Sequence, residues 1–171
     1  MEKKIKEVIF NPSEFFEKIK KEKGIIPTFK YFVILSLVYH TFSSGCSFLS
    51  TPTPILDVLK NFLMSYVIGL ITTFIVAGIW HVLVIPLGGK GNYSATYKAL
   101  VYGSTLGLLF GWIPYIGNVF SFFSFYLQMI GISKLHKISM KRAFLIVFVF
   151  MILLVIGIIS SLTMLSSFVP F

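Results

Sequence analysis

Hydrophobic residues along this chain gather into long runs rather than alternating or recurring at an amphipathic spacing. The runs fall at about 31–49, 62–85, 95–112, 115–133 and 143–168. Each approaches or exceeds the roughly 20 helical residues that cross about 30 Å of hydrocarbon. The breaks between them carry residues that stop helices. Thr51-Pro52-Thr53-Pro54 parts the first run from the second, and Gly88-Gly89-Lys90-Gly91-Asn92 parts the second from the third. The third and fourth are divided only by Trp112-Ile113-Pro114-Tyr115, a very tight αα-hairpin whose Trp112 and Tyr115 suit the headgroup level. The pattern predicts an all-α polytopic membrane protein with five transmembrane helices. The alternative is a count of four, in which 95–133 is a re-entrant pair.

Residues 1–30 have a different character. Ile5, Val8 and Ile9 share one helical face, and Asn11-Pro12 restarts the pattern with a favoured N-cap and first helical residue. Glu14 and Glu17 come early in the new helix, Lys18, Lys20, Lys21 and Lys23 late, and Gly24 is expected to end it, an order that complements the helix dipole. Phe15, Phe16 and Ile19 form one apolar stripe. The expectation is a short amphipathic N-terminal helix lying in the membrane interface, or else a solvated helix packed on the bundle. The chain thus divides into a cytoplasmic segment, 1–30, and a five-span transmembrane domain, 31–171.

Composition strengthens the membrane reading. Of the 171 residues 56% are hydrophobic and 12% charged, against about 25% charged in soluble domains. The net charge of +9 raises the question of nucleic acid, but the lysines sit in the gaps between apolar runs rather than on one polar face. No nucleic-acid partner is expected. Eight lysines precede the first run, Lys60 alone follows it, Lys90 and Lys98 come after the second, none falls between the third and fourth, and Lys134, Lys137, Lys141 and Arg142 follow the fourth. Five crossings put fourteen basic residues on one side and one on the other. The positive-inside rule then predicts a cell-membrane protein with a cytoplasmic N-terminus and an external C-terminus. Ser43-Ser44-Gly45-Cys46 loosely imitates a lipoprotein signal, but the long mixed-charge segment before it favours an uncleaved first helix. Cys46 is the single cysteine, so neither a disulfide framework nor a cysteine-based zinc site is available.

Three stripes within the runs carry candidate sites. The third run places Ala95, Ala99, Gly103, Gly107 and Gly111 four apart, a face for close helix packing against this chain or a second copy. The fourth places Asn118, Ser121, Ser124, Gln128 and Gly131 on one face. Those groups either hydrogen-bond between helices or form a polar track for a substrate or lipid headgroup. The second aligns Gly69, Thr73, Ala77 and His81, which puts His81 on a packing face, while His40 lies mid-helix in the first run and His136 falls in a loop. Two histidines at different depths make a poor metal site, and no cofactor is expected.

After Asp57 the chain has no Asp or Glu. Phosphoryl transfer needs carboxylates for its metal ions, and Ser- or Cys-based triads need an orienting acid. Gly88-Gly89-Lys90-Gly91 is a poor phosphate loop, with Val84 where the first glycine belongs and Gly91 where Ser or Thr belongs; it reads as a flexible turn. An enzyme is disfavoured.

Gly88-Gly89-Lys90-Gly91 with Tyr93, then Ile113-Pro114-Tyr115-Ile116-Gly117, then Gly131 with His136-Lys137-Ile138-Ser139 and Arg142-Ala143 together resemble the Yip family. These are Ypt/Rab-interacting membrane proteins and their prokaryotic relatives. The resemblance runs from about Asn11 to the final span and implies five spans with a cytoplasmic N-terminus. Eukaryotic members are associated with vesicle trafficking and small-GTPase binding. The short N-terminal segment here lacks their Asp-Leu-Tyr-Gly-Pro element, so GTPase binding is not carried over. The expected role is a membrane-organising or partner-binding scaffold, with a small transporter or lipid-handling protein as the alternative. Its expected partners are the bilayer, including anionic headgroups, and a protein or second copy met through the membrane helices. The candidate cytoplasmic surface is Lys134, His136, Lys137, Lys141 and Arg142, beside the Phe15/Phe16/Ile19 helix and the Gly88–Asn92 turn.

Overall fold

A computed structural model describes residues 1–51 and 53–168, with the backbone alone for residue 158 and residues 161–168. Pro52 of the first break and residues 169–171 of the tail lie outside the described residues. The elements are α1 (Glu2–Phe10), α2 (Pro12–Ile19), α3 (Ile26–Ser50), α4 (Ile55–Val84), α5 (Tyr93–Gly103), α6 (Thr105–Phe110), α7 (Gly117–His136) and α8 (Met140–Phe168). Among the described residues there is no strand.

The predicted spans map onto α3, α4, α5 with α6, α7 and α8, but these are of two kinds. Three helices are long and apolar enough to cross a membrane: α3, α4 and the Met140–Gly157 part of α8. They turn large apolar side chains such as Ile68, Ile71, Ile75, Phe144 and Phe148 outward, a distribution that requires lipid rather than water around them. The other helices are shorter or more polar; α5 sits inside, whereas α7 buries one face and exposes Val119, Phe122, Phe123 and Tyr126 on the other. From Thr96 to Gly103 every residue of α5 is buried.

The third predicted span is broken. Ser104 leaves helical geometry at φ −76°, ψ 0° and divides α5 from α6. Its hydroxyl donates to the Leu100 carbonyl at 2.8 Å and accepts the Gln128 amide at 2.8 Å. A weak helix former that bonds back to the preceding turn, beside a glycine, is a recognised cause of such a break. The turn between α6 and α7 is compact but runs from Gly111 to Ile116, longer than the break from Trp112 to Tyr115 that the sequence implied. Ile116 N–H reaches the Pro114 carbonyl at 2.7 Å, Gly117 N–H reaches Ile113 at 2.8 Å, and Tyr115 takes a left-handed φ of 64°. Trp112 stacks on Phe42 at 4.7 Å, which sets this turn level with Phe42 rather than with the end of α3 at Ser50.

The small-residue stripe finds its partner within the chain. A Cβ on Gly103 would stand 2.4 Å from Gln128 Cγ and 2.7 Å from the Gln128 backbone, and one on Gly131 would stand 3.0 Å from Ala99 Cα. Gly107 N–H donates to Ser124 Oγ at 2.7 Å. The stripe on α5 and α6 therefore meets the polar face of α7 at backbone contact. Gly111 lies beyond α6, and its carbonyl approaches Gly117 across the turn.

The N-terminal segment takes the second of its two expected forms, a helix packed on the bundle: Val8, Phe15, Phe16 and Ile19 are all buried there. Phe15 packs edge-on against Tyr102 at 5.0 Å, and Phe16 fills the space a side chain at Gly131 would take. Each such side chain withdrawn from water contributes roughly 1.5–3 kcal/mol, which holds α1 and α2 under the bundle. The helix begins at Pro12 as expected but ends at Ile19, and Gly24 instead provides a turn at φ 71°.

Glycines at close contacts and glycines in open space should respond oppositely to a methyl group. Gly103→Ala should lower the melting temperature in mild detergent, costing about 1–3 kcal/mol as an overpacked contact. Gly78, in α4, has nothing within 4 Å of a Cβ, so Gly78→Ala should be neutral or stabilise by up to ~1 kcal/mol through helix propensity. Equal effects of the two substitutions would contradict the packing described.

Candidate functional site

The elements that open or close at the basic end of the bundle converge there: α2, the start of α3, the α4–α5 connection, the end of α7 and the start of α8. The α4–α5 connection is not the flexible turn expected from its glycines. Gly88 takes φ 84°, as only a residue without a side chain readily does. A Cβ on Gly89 would meet Val84 Cγ1 at 2.2 Å and His136 Nδ1 at 3.1 Å, and one on Gly91 would meet His136 Nδ1 at 2.9 Å. Lys90 N–H donates to the His136 carbonyl at 3.0 Å, and Arg142 Nη1 donates to the Leu87 carbonyl at 3.0 Å. The glycines form a close-fitting cover over one imidazole.

That imidazole corrects a further expectation. His136 is not a loop or surface residue; it is the last residue of α7 and fully buried. Its Nε2 meets Thr96 Oγ1 at 2.9 Å, and the same hydroxyl meets His81 Nδ1 at 2.9 Å. The two ring centroids are 5.9 Å apart. A hydroxyl carries one proton, so it donates to one ring and accepts from the other. His136 Nδ1 then faces the glycine cover with no hydrogen-bond partner. The spacing that put His81 on a packing face was informative; the pairing with His136 was not visible, because the residues are far apart in sequence and meet only through α5.

The remaining predicted surface residues do lie at the surface. Lys137, Lys141 and Arg142 are exposed, and Lys134 is loosely paired with Glu17 at 3.8 Å. Lys137 sits in the left-handed region at φ 56°, closing α7 with its N–H on Ser133. Ser133 holds the turn by donating to the Ile138 carbonyl at 2.7 Å. The Glu17 carboxyl is held below its usual range, chiefly by its hydrogen bond from Lys20 and further by Lys134 and Lys137. Across from it, Lys4 donates to Glu22 at 2.7 Å and Tyr102 at 2.9 Å. Burial alone would pull that ammonium's pKa down, but these two contacts outweigh it and leave the pKa raised.

The predicted polar face of α7 is brought together only in part. Ser121, Ser124 and Gln128 line a cavity of about 270 Å³ with Tyr39, Ser104 and Gly107. Asn118 stands apart and exposed. Gln128 Oε1 is buried with no hydrogen-bond partner. Among the described residues, no three His, Cys, Asp or Glu side chains gather to hold a metal ion.

Apolar helices facing outward around a more polar, close-packed interior define an integral membrane protein of the polytopic helical class. The family model of the Yip1 domain matches residues 6–162, and the chain belongs to that family. No curated protein and no solved structure matches it.

Thr96 is the link between the two imidazoles. Thr96→Val should leave a ring nitrogen on each side without its partner, costing about 1–3 kcal/mol per orphaned group, and should lower the detergent melting point. Thr41→Val, which removes only an exposed bond to the Leu37 carbonyl, should change it far less. At the surface, Lys137→Gly should raise the melting point, because a non-glycine residue in that left-handed conformation carries ~1 kcal/mol of strain. A decrease would show that the Lys137 side chain outweighs the strain.

Proposed function

We propose that this protein is a non-enzymatic membrane scaffold of the Yip family that engages a partner or anionic membrane surface through its basic end. In this reading it crosses the cell membrane five times, with the N-terminus in the cytoplasm and the C-terminus outside. The observation that carries the scaffold reading is how the polar face of α7 is used. Ser124 accepts from Gly107 N–H, the Gln128 amide donates to Ser104, and Ser121 donates to the Gly117 carbonyl. Groups that would line a substrate path are instead committed to hydrogen bonds within the bundle, Ser121 within its own helix, which supports a rigid bundle with exposed basic residues at one end.

The unpartnered Gln128 Oε1 in its cavity favours a second reading, a lipid-handling protein. Lipid exchange between reconstituted vesicles separates the two. A scaffold gives no protein-dependent exchange, whereas a lipid handler gives exchange that Gln128→Leu abolishes.

Impermeant thiol labelling in intact cells tests the topology. Cys46 should label from outside when sterically accessible, whereas cysteines placed at Asn92 or Ser139 in a Cys46→Ser background should label only after permeabilisation. A cysteine at Tyr115, which is 93% exposed, should label from outside if α5–α6 and α7 both cross. Protection of that position would mark the pair as re-entrant. For the basic surface, Lys134→Gln/Lys137→Gln should weaken flotation with anionic vesicles, most strongly at low salt, with insertion unchanged. Unaltered flotation at every ionic strength would reduce these lysines to topology signals.

A further inference from the structure

A cavity of about 410 Å³ opens at the basic end between the turn after α2 and the start of α5. Lys20, Lys23 and Lys98 line it with Glu22, Asn92 and Ser94. The charges there do not balance. The Glu22 carboxylate is engaged by Lys4 at 2.7 Å and by the Tyr102 hydroxyl at 3.2 Å. Lys20 pairs with Glu17. Lys23 and Lys98 have no ion-pair partner among the described residues.

Lys98 is the unusual member. The residue is only 5% exposed, and its ammonium donates to the Glu22 backbone carbonyl. The Glu22 carboxylate acts on it electrostatically but is already engaged by Lys4 and Tyr102. A lysine this buried almost always has an anion of its own, because desolvating an unpaired charge is costly. The opening turn of α5 adds donors of the same sense. The Asn92 side chain caps Ala95 N–H at 3.1 Å, while the Tyr93 and Ser94 amides precede any intrahelical acceptor and carry the positive end of the helix dipole.

We propose that this cavity binds a phosphomonoester, carried either by a lipid headgroup or by a soluble metabolite. Lys98 and Lys23 supply two positive charges, matching the charge of about −1.5 to −2 on a phosphomonoester at neutral pH. Its terminal oxygens can accept from both ammonium groups and the first amides of α5. A phosphodiester, with one negative charge, leaves one ammonium uncompensated. The volume equals that of roughly a dozen waters in bulk, which admits the phosphate and the first atoms of its carrier. The site is separate from the Lys134 and Lys137 surface and does not depend on the scaffold reading.

Native mass spectrometry of the full chain from mild detergent, with added phosphatidic acid or phosphatidylglycerol, tests the lipid source. Thermal stabilisation by glycerol 3-phosphate tests the soluble one. The expected result is retention of phosphatidic acid over phosphatidylglycerol, or stabilisation by glycerol 3-phosphate. Lys98→Met should weaken whichever binding occurs by roughly tenfold or more, as the loss of a charge-assisted hydrogen bond does. Lys23→Gln, at the exposed rim, should weaken it severalfold and provides the test if Lys98→Met fails to fold. Lys60→Gln should leave it in place. Binding of neither phosphomonoester, equal retention of phosphatidylglycerol, or binding that both cavity variants leave unchanged would overturn the proposal.

Discussion

The bundle depends on the contact between Gly103 and Gln128, where α5 and α7 meet with no side chain between their backbones. In lipid, apolar helices gain little by leaving one tail-like surroundings for another, so close approach and hydrogen bonds must hold them together. Small residues on one helix and short polar groups on the other serve both needs. Gly107 brings its amide within reach of Ser124, and the break at Ser104 exposes a hydroxyl to the Gln128 amide. One stripe alone would leave the polar groups of the other without partners in a medium that offers none.

The rest of the arrangement follows from burying the contact side of that hairpin. α3, α4 and α8 carry much of the apolar surface, α7 adds Val119, Phe122, Phe123 and Tyr126 to it, and α5 is the most sheltered helix. At the basic end the same geometry draws distant segments together. α5 brings Thr96 between His81 and His136, Gly89 and Gly91 close over the imidazole, and α2 fits against the space left by Gly131. The residues that mark the family in sequence are therefore largely those that let backbone approach backbone at this end.

The existence of the helices and their breaks was legible because hydrocarbon thickness imposes a length on apolar runs. The glycine stripe on the third run and the polar stripe on the fourth were also legible, as two halves of one contact whose pairing only the fold reveals. Three features were not. Phe15, Phe16 and Ile19 form an amphipathic stripe that suits a bilayer or a protein surface equally well, and nothing in their spacing distinguishes Gly131 as the receiving groove. The burial of His136 depends on glycines some 45 residues earlier in the chain. The basic residues could not separate a crossing pair from a re-entrant one. A hairpin that enters and returns leaves every lysine on the same side, because the connection from Trp112 to Tyr115 carries no charge.

The central claim is that the small-residue stripe packs inside the chain rather than against a second copy. A Cβ at Gly107 would stand 3.8 Å from Ser124 Cβ, close to the mean Cβ separation of about 3.8 Å across a disulfide. The decisive measurement is oxidative cross-linking of Gly107→Cys/Ser124→Cys in a Cys46→Ser background, read by intact mass and gel mobility. The account predicts rapid formation of one intramolecular disulfide in a monomeric chain. A covalent dimer, or two thiols that stay reduced while remaining accessible, would contradict it.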